Sequence, residues 1–98
     1  MARIELAPEF ADDMDRIADH LLRHEVMEIE IRVRGIIDAI DVLRCNPMIG
    51  RPAGEKMCEL VIGRGSRGYI ALYQYVAVVD TVFVLALRAQ RERGYVRL

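Results

Sequence analysis

Apolar and polar positions alternate at the start of the chain. Ile4 and Leu6 fall on one side and Arg3 and Glu5 on the other, the period of a half-buried strand over residues 2–6. Pro8 ends that strand and suits the first turn of a helix, where Glu9, Asp12 and Asp13 meet the positive end of the helix dipole. The spacing of Phe10, Met14, Ile17, Leu21 and Leu22 predicts a helix from about Pro8 to Arg23, with Arg23 and His24 closing its C-terminal end. A second stripe, Ile29, Val33, Ile36, Ile37, Ile40 and Leu43, predicts another amphipathic helix over residues 27–44, and the two together make a helical hairpin. Asn46-Pro47-Met48-Ile49-Gly50-Arg51-Pro52 cannot continue it, because each proline lacks an amide hydrogen and restricts its predecessor. A loop is expected through about Glu55.

Three runs rich in β-branched and aromatic residues follow, Met57–Ile62, Gly68–Val76 and Thr81–Ala89. The short turns between them, Gly63–Arg67 and about Ala77–Asp80, imply an antiparallel meander. The expected fold is α+β in the order β-α-α-β-β-β: an antiparallel sheet, joined by the N-terminal strand, with the helical hairpin packed on one face.

Two of these strands show no polar face. In the run from Tyr69 to Val76, Tyr69, Ala71, Tyr73 and Tyr75 share one side, while Ile70, Leu72 and Val76, interrupted by Gln74, share the other. In the last run Phe83, Leu85 and Leu87 oppose Val82, Val84 and Ala86. A sheet apolar on both sides calls for cover on both, and one hairpin covers one. The remaining nine residues, Gln90–Leu98, carry Arg91, Arg93 and Arg97 and read as too short and too charged to blanket a face. Tyrosine offers apolar area with a polar tip, so this face is expected to bind another protein through Tyr69, Tyr73, Tyr75, Val82, Val84 and Arg88. Ordinary sheet decoration and a homodimer interface are the competing readings.

Composition narrows the class without naming the activity. With 98 residues and 53% hydrophobic content, the chain suits one domain over residues 1–98. No stretch approaches the roughly 18 apolar residues of a membrane span, and the N-terminus lacks a signal-peptide pattern, so a soluble, cytoplasmic protein with no membrane contact is expected. Cys45 and Cys58 lack CxxC spacing and read as reduced thiols. The net charge of −1 conceals a split: residues 1–50 hold six arginines against eleven acids, while residues 51–98 hold seven arginines and one lysine against four acids. A basic second half suits an acidic partner or a nucleic acid, although solvated acidic helices alone also produce such a split.

Taken in order, Pro8-Glu9 with Ala11-Asp12-Asp13, the Asn46–Pro52 segment, Glu59-Leu60-Val61-Ile62, Gly68-Tyr69-Ile70-Ala71-Leu72-Tyr73 and Val84-Leu85-Ala86-Leu87-Arg88-Ala89-Gln90-Arg91 resemble the RelE/ParE family of type II toxins over nearly the whole chain. The resemblance is closer to the ParE branch, whose members are associated with DNA gyrase inhibition and plasmid stabilisation. It implies a growth-inhibiting toxin neutralised by a cognate, ParD-like antitoxin that wraps it with helical and extended segments. The RelE branch shares the fold and implies the alternative, a ribosome-dependent messenger RNA endonuclease, so fold does not choose between them. A non-toxic scaffold that retains only antitoxin binding is a third reading.

For RNA cleavage the chain needs a base for the 2′-hydroxyl, positive charge for the phosphorane and an acid for the leaving oxygen. Arg67 and Arg88, on adjacent strands, with Arg91 and Tyr95 beyond, are the candidates. Lys56 is the sole lysine and no histidine follows His24, while neither arginine nor tyrosine at an ordinary pKa is a good base. Arginines serving solubility, antitoxin carboxylates or gyrase contact are therefore the favoured reading. His20 and His24 have a metal-compatible spacing without a third ligand, and Gly63-Arg64-Gly65-Ser66 joins two strands rather than opening a helix. No metal and no cofactor are expected.

Overall fold

The computed structural model describes residues 1–24, 29–63, 68–92 and 94–96. In chain order these form β1 (Arg3–Leu6), α1 (Pro8–His24), α2 (Ile29–Asp41), a 3-10 turn (Val42–Arg44), β2 (Arg51–Pro52), β3 (Cys58–Ile62), β4 (Tyr69–Val76), a second 3-10 turn (Ala77–Val79) and β5 (Thr81–Ala89). The sheet runs β1-β5-β4-β3-β2. Of the helix expected over 27–44, residues 27 and 28 lie outside the described residues, as do residues 64–67 of the first strand-to-strand turn.

The helices arise where the apolar spacing places them. In α1 the Ala7 carbonyl accepts the amides of Phe10 at 3.0 Å and Ala11 at 3.3 Å, and Phe10, Ile17 and Leu21 turn inward. Ile36 and Ile40 do the same for α2, and Leu43 follows in the 3-10 turn. These side chains meet Tyr69, Ala71, Tyr73, Val82, Val84 and Leu87 from the sheet in one core.

The meander β3–β4–β5 is antiparallel. β1 differs, because it joins β5 in parallel with Ile4 opposite Val82, which makes the sheet mixed. Arg3 N–H reaches the Asp80 carbonyl at 2.9 Å and Ala7 N–H reaches that of Val84 at 2.9 Å. Alternation in residues 2–6 specifies which side chains face inward but says nothing of strand direction. A further short strand, β2, stands where a loop was expected, pairing Pro52 with Cys58. Its place at the sheet edge makes the amide missing from proline harmless.

A register shift between Leu72 and Tyr73 reverses the faces of β5. Tyr73 pairs with Val84 and Leu72 with Ala86, which leaves Leu85 without an opposite residue. Beyond such a bulge the inward and outward positions exchange. Leu87 therefore joins Val82 and Val84 in the core instead of pointing with Phe83 and Leu85, and Ala86 and Arg88 turn to the outer face.

Candidate functional site

The tyrosine face proves to be the face beneath the helices. Tyr73, Val82 and Val84 are completely buried and Tyr69 nearly so. These four, expected on an open binding surface, belong to the core because α1 and α2 cover the side of the sheet from which they project. The polar tip of Tyr73 is satisfied there, since its hydroxyl accepts Gly50 N–H at 2.8 Å. Tyr75, nearer the strand end, is half-buried and donates its hydroxyl to Asp80 Oδ1 at 2.7 Å.

Ile70, Leu72 and Ala86 project from the other side and are also buried, although no helix lies over them. Part of the C-terminal segment lies on this side of the sheet. The Arg88 guanidinium stands 5.2 Å from the centre of the Tyr95 ring, in cation–π range, and Tyr95 Oη donates to Glu59 Oε2 at 2.7 Å. Arg88 lies opposite Ile70 in the ladder and Glu59 opposite Leu72, so Tyr95 bridges across this apolar strip. The last nine residues, expected to be too short to blanket a face, place one aromatic ring on this side, clamped at both ends, while Phe83 stays half-buried.

Each part of the clamp is held by a different element. From β5, Arg88 Nη1 donates to the carbonyls of Glu92 at 2.8 Å, Ala89 at 3.3 Å and Gln90 at 3.5 Å, gathering the turn that follows the strand. Among the described residues its buried Nε has no partner. From β2, Arg51 meets Glu59 Oε1 at 3.1 Å through both Nε and Nη2. Burial alone would raise the Glu59 pKa, but hydrogen bonds from Tyr95 and Arg51 and the charges of Arg51 and Arg88 hold it below the usual carboxylate range. Tyr95 is displaced the opposite way: burial and its bond to ionised Glu59 push the phenol above its ordinary value, against the pull of Arg88.

Of the residues expected to carry cleavage chemistry, Arg88 and Tyr95 come together. Arg91 does not, for its Nη2 lies 3.1 Å from His20 Nε2 on α1. Arg67 lies outside the described residues. The sequence reading missed Arg51 and Glu59. A lone glutamate between apolar neighbours in a strand was the available signal for Glu59, whereas Arg51 sat in a segment read as a loop. Chemically the cluster provides positive charge and a firmly protonated phenol, but its one carboxylate is a weakened base. His20 and His24 stack at 4.5 Å, with His24 Nδ1 at 3.0 Å from the His20 carbonyl. Among the described residues no three His, Cys, Asp or Glu side chains gather as a metal would need, and no helix is long and apolar enough to cross a membrane.

No curated protein matches the chain. Solved structures that share its fold include three toxin–antitoxin systems. One is described as the chromosomal ParDE toxin–antitoxin system of P. aeruginosa, with a TM-score of 0.77 and 19% identity, covering 91% of this chain and 96% of that one. Another is described as the intact RelBE toxin–antitoxin complex of E. coli, with a TM-score of 0.60 and 14% identity over 95% of this chain and 100% of the other. A third, the RelBE2 toxin–antitoxin complex of Mycobacterium tuberculosis, gives 0.55 and 19% over 91% and 98%. At such identities the likeness is one of fold. The family described as the ParE toxin of the type II toxin–antitoxin system matches residues 4–94 of the sequence, and the chain belongs to that family.

Proposed function

We propose that this toxin acts on DNA gyrase by direct protein contact and is neutralised by a cognate, ParD-like antitoxin. The observation that carries the reading is the family match over residues 4–94, reinforced by a candidate site whose phenol is held protonated and whose carboxylate is a poor base. The three structural neighbours are described as toxin–antitoxin systems or complexes, which supports a protein partner of that kind.

The surface best suited to the antitoxin is no longer the tyrosine face. It is the apolar groove, about 180 Å³, between β1 and the two helices, lined by Ile4, Leu6, Phe10, Ile37 and Ile40. Leu6 and Ile37 are 54% and 53% exposed there, and β1 ends the sheet with one side unpaired. Tyr75 and Arg88, both half-buried, remain reachable from solvent.

The messenger RNA endonuclease is the second reading, favoured by the Arg88–Tyr95 contact. Expressing the chain alone in bacteria separates the two. Gyrase poisoning produces a DNA-damage response and gyrase-trapped breaks while translation continues. Prompt loss of translation with cleaved messages would replace the gyrase reading by the nuclease, and normal growth would replace both by a non-toxic, antitoxin-binding scaffold.

A further inference from the structure

A second cavity, about 400 Å³, opens between the C-terminal half of α1, the beginning of α2 and the residues that follow β5. Its floor is apolar: Ile17, Leu21 and Tyr69 are buried core residues whose edges reach the opening. Among the described residues its rim carries Arg16, Arg32 and Arg91 and one lining carboxylate, Glu92. That carboxylate is already engaged, since Arg16 Nη1 reaches Glu92 Oε1 at 2.9 Å.

Arg91 is matched differently. Its Nη2 contacts His20 Nε2 at 3.1 Å, and because a guanidinium only donates, the imidazole nitrogen must be accepting with its lone pair. The ring also stacks on His24, with centroids 4.5 Å apart. This contact occupies one of the five arginine donors and, unlike an ion pair with a carboxylate, brings no negative charge to the guanidinium. A guanidinium fork in that condition is suited to bidentate capture of a carboxylate.

We propose that this cavity binds an acidic peptide segment, seating an aspartate or glutamate carboxylate on Arg91 and a neighbouring aliphatic side chain on Ile17 and Leu21. The volume exceeds what a carboxylate or phosphate alone requires, so the ligand carries apolar bulk. The floor offers branched aliphatic surface and a buried Tyr69 rather than an open aromatic plane, which favours a leucine or isoleucine side chain over a nucleobase. The inference is independent of the toxin's cellular target. An antitoxin is one possible source of such a segment, but the test does not depend on that identity.

The test is an NMR titration of the isotopically labelled full chain with the blocked tetrapeptide Glu-Leu-Glu-Leu, its Gln-Leu-Gln-Leu counterpart, inorganic phosphate and adenosine monophosphate. Saturable shifts of the Ile17, Leu21, Ala89 and Arg91 amides with the glutamate peptide are expected, with affinity at least tenfold weaker for the glutamine peptide. Arg91→Gln should weaken the glutamate peptide by a similar factor while leaving the rest of the spectrum unchanged. Equal binding of both peptides, no saturation with the glutamate peptide, or saturation by phosphate or the nucleotide alone would overturn the proposal. Comparison of the two peptides on the unaltered protein decides the matter even if the variant misfolds.

Discussion

Tyr73 joins parts of the chain that the sequence keeps far apart, since its buried hydroxyl accepts the amide of Gly50. Tyr73→Phe leaves that amide without its partner and is expected to cost about 1–3 kcal/mol, read as a lower urea midpoint at constant slope. Gly50→Ala should cost a similar 1–3 kcal/mol by overpacking, because a Cβ there would lie 2.6 Å from the Tyr73 hydroxyl and 2.7 Å from the Glu59 carbonyl, and the latter is backbone that cannot rotate away. Buried Asp13 has a comparable role: its Oδ2 accepts Leu87 N–H at 3.0 Å, just beyond the bulge in β5. The acid limb of the pH response belongs to Glu59 on the outer face, while Tyr73, raised by burial, and Tyr75, raised by its bond to Asp80, join Tyr95 in the alkaline limb. Glu59 has a folded pKa below its unfolded one, so its contribution is present above the unfolded value, near 4.3, and is lost as pH falls through the folded value. Tyr95 has a raised folded pKa, so its contribution is complete below about pH 10 and is lost as pH rises beyond it. Stability measured by denaturant from pH 2 to 11 should decline at both ends, and Glu59→Gln should flatten the acid limb. An unchanged acid limb would detach Glu59 from the linkage.

At the scale of elements, the C-terminal segment adds to the outer face of the sheet with very few residues. A chain ending at Gln90 loses the Tyr95 ring and exposes Ile70, Leu72 and Ala86. Losing one half-buried aromatic side chain, worth about 1–2 kcal/mol, should lower the melting temperature by roughly 5–10 °C and raise binding of an apolar dye. A shortened chain with unaltered melting and dye binding would place the cover elsewhere. The elements themselves were largely legible: α1 follows the spacing of Phe10, Ile17 and Leu21, and β5 spans the expected Thr81–Ala89. The bulge was not. Leu85 is an ordinary strand residue with no glycine or proline beside it, so nothing local marks the position at which inward and outward exchange. That single extra residue is why Leu87 and Ala86 were assigned to the wrong sides.

Over the whole molecule, the fold is shared with toxin–antitoxin structures at 14–19% identity, so the exposed surfaces rather than the core distinguish partners and targets. Under the gyrase reading, Tyr95→Phe keeps the ring over Arg88 and should leave toxicity intact. Under the nuclease reading, removing a phenolic acid should reduce cleavage roughly a hundredfold or more. Leu6→Asp or Ile37→Asp, at half-exposed positions lining the β1 groove, should shift stability by no more than about 0.5 kcal/mol. Each should nevertheless weaken binding of an antitoxin from the adjoining gene by at least tenfold, measured calorimetrically. Unweakened binding would move the antitoxin to another surface.

Periodicity and punctuation in the sequence were sufficient for both helices, the meander and the likeness to a toxin family, because helical stripes, strand runs and prolines act through neighbours within a few residues. Only the tertiary structure decided that β1 runs parallel to β5, that the tyrosine face lies under the helices, and that Tyr95 meets Arg88 and Glu59 on the opposite side while Arg91 turns toward His20. Those outcomes depend on strand direction, on a one-residue register shift and on where the chain goes after its last strand. Each is set by contacts between residues distant in sequence, which a local pattern does not encode.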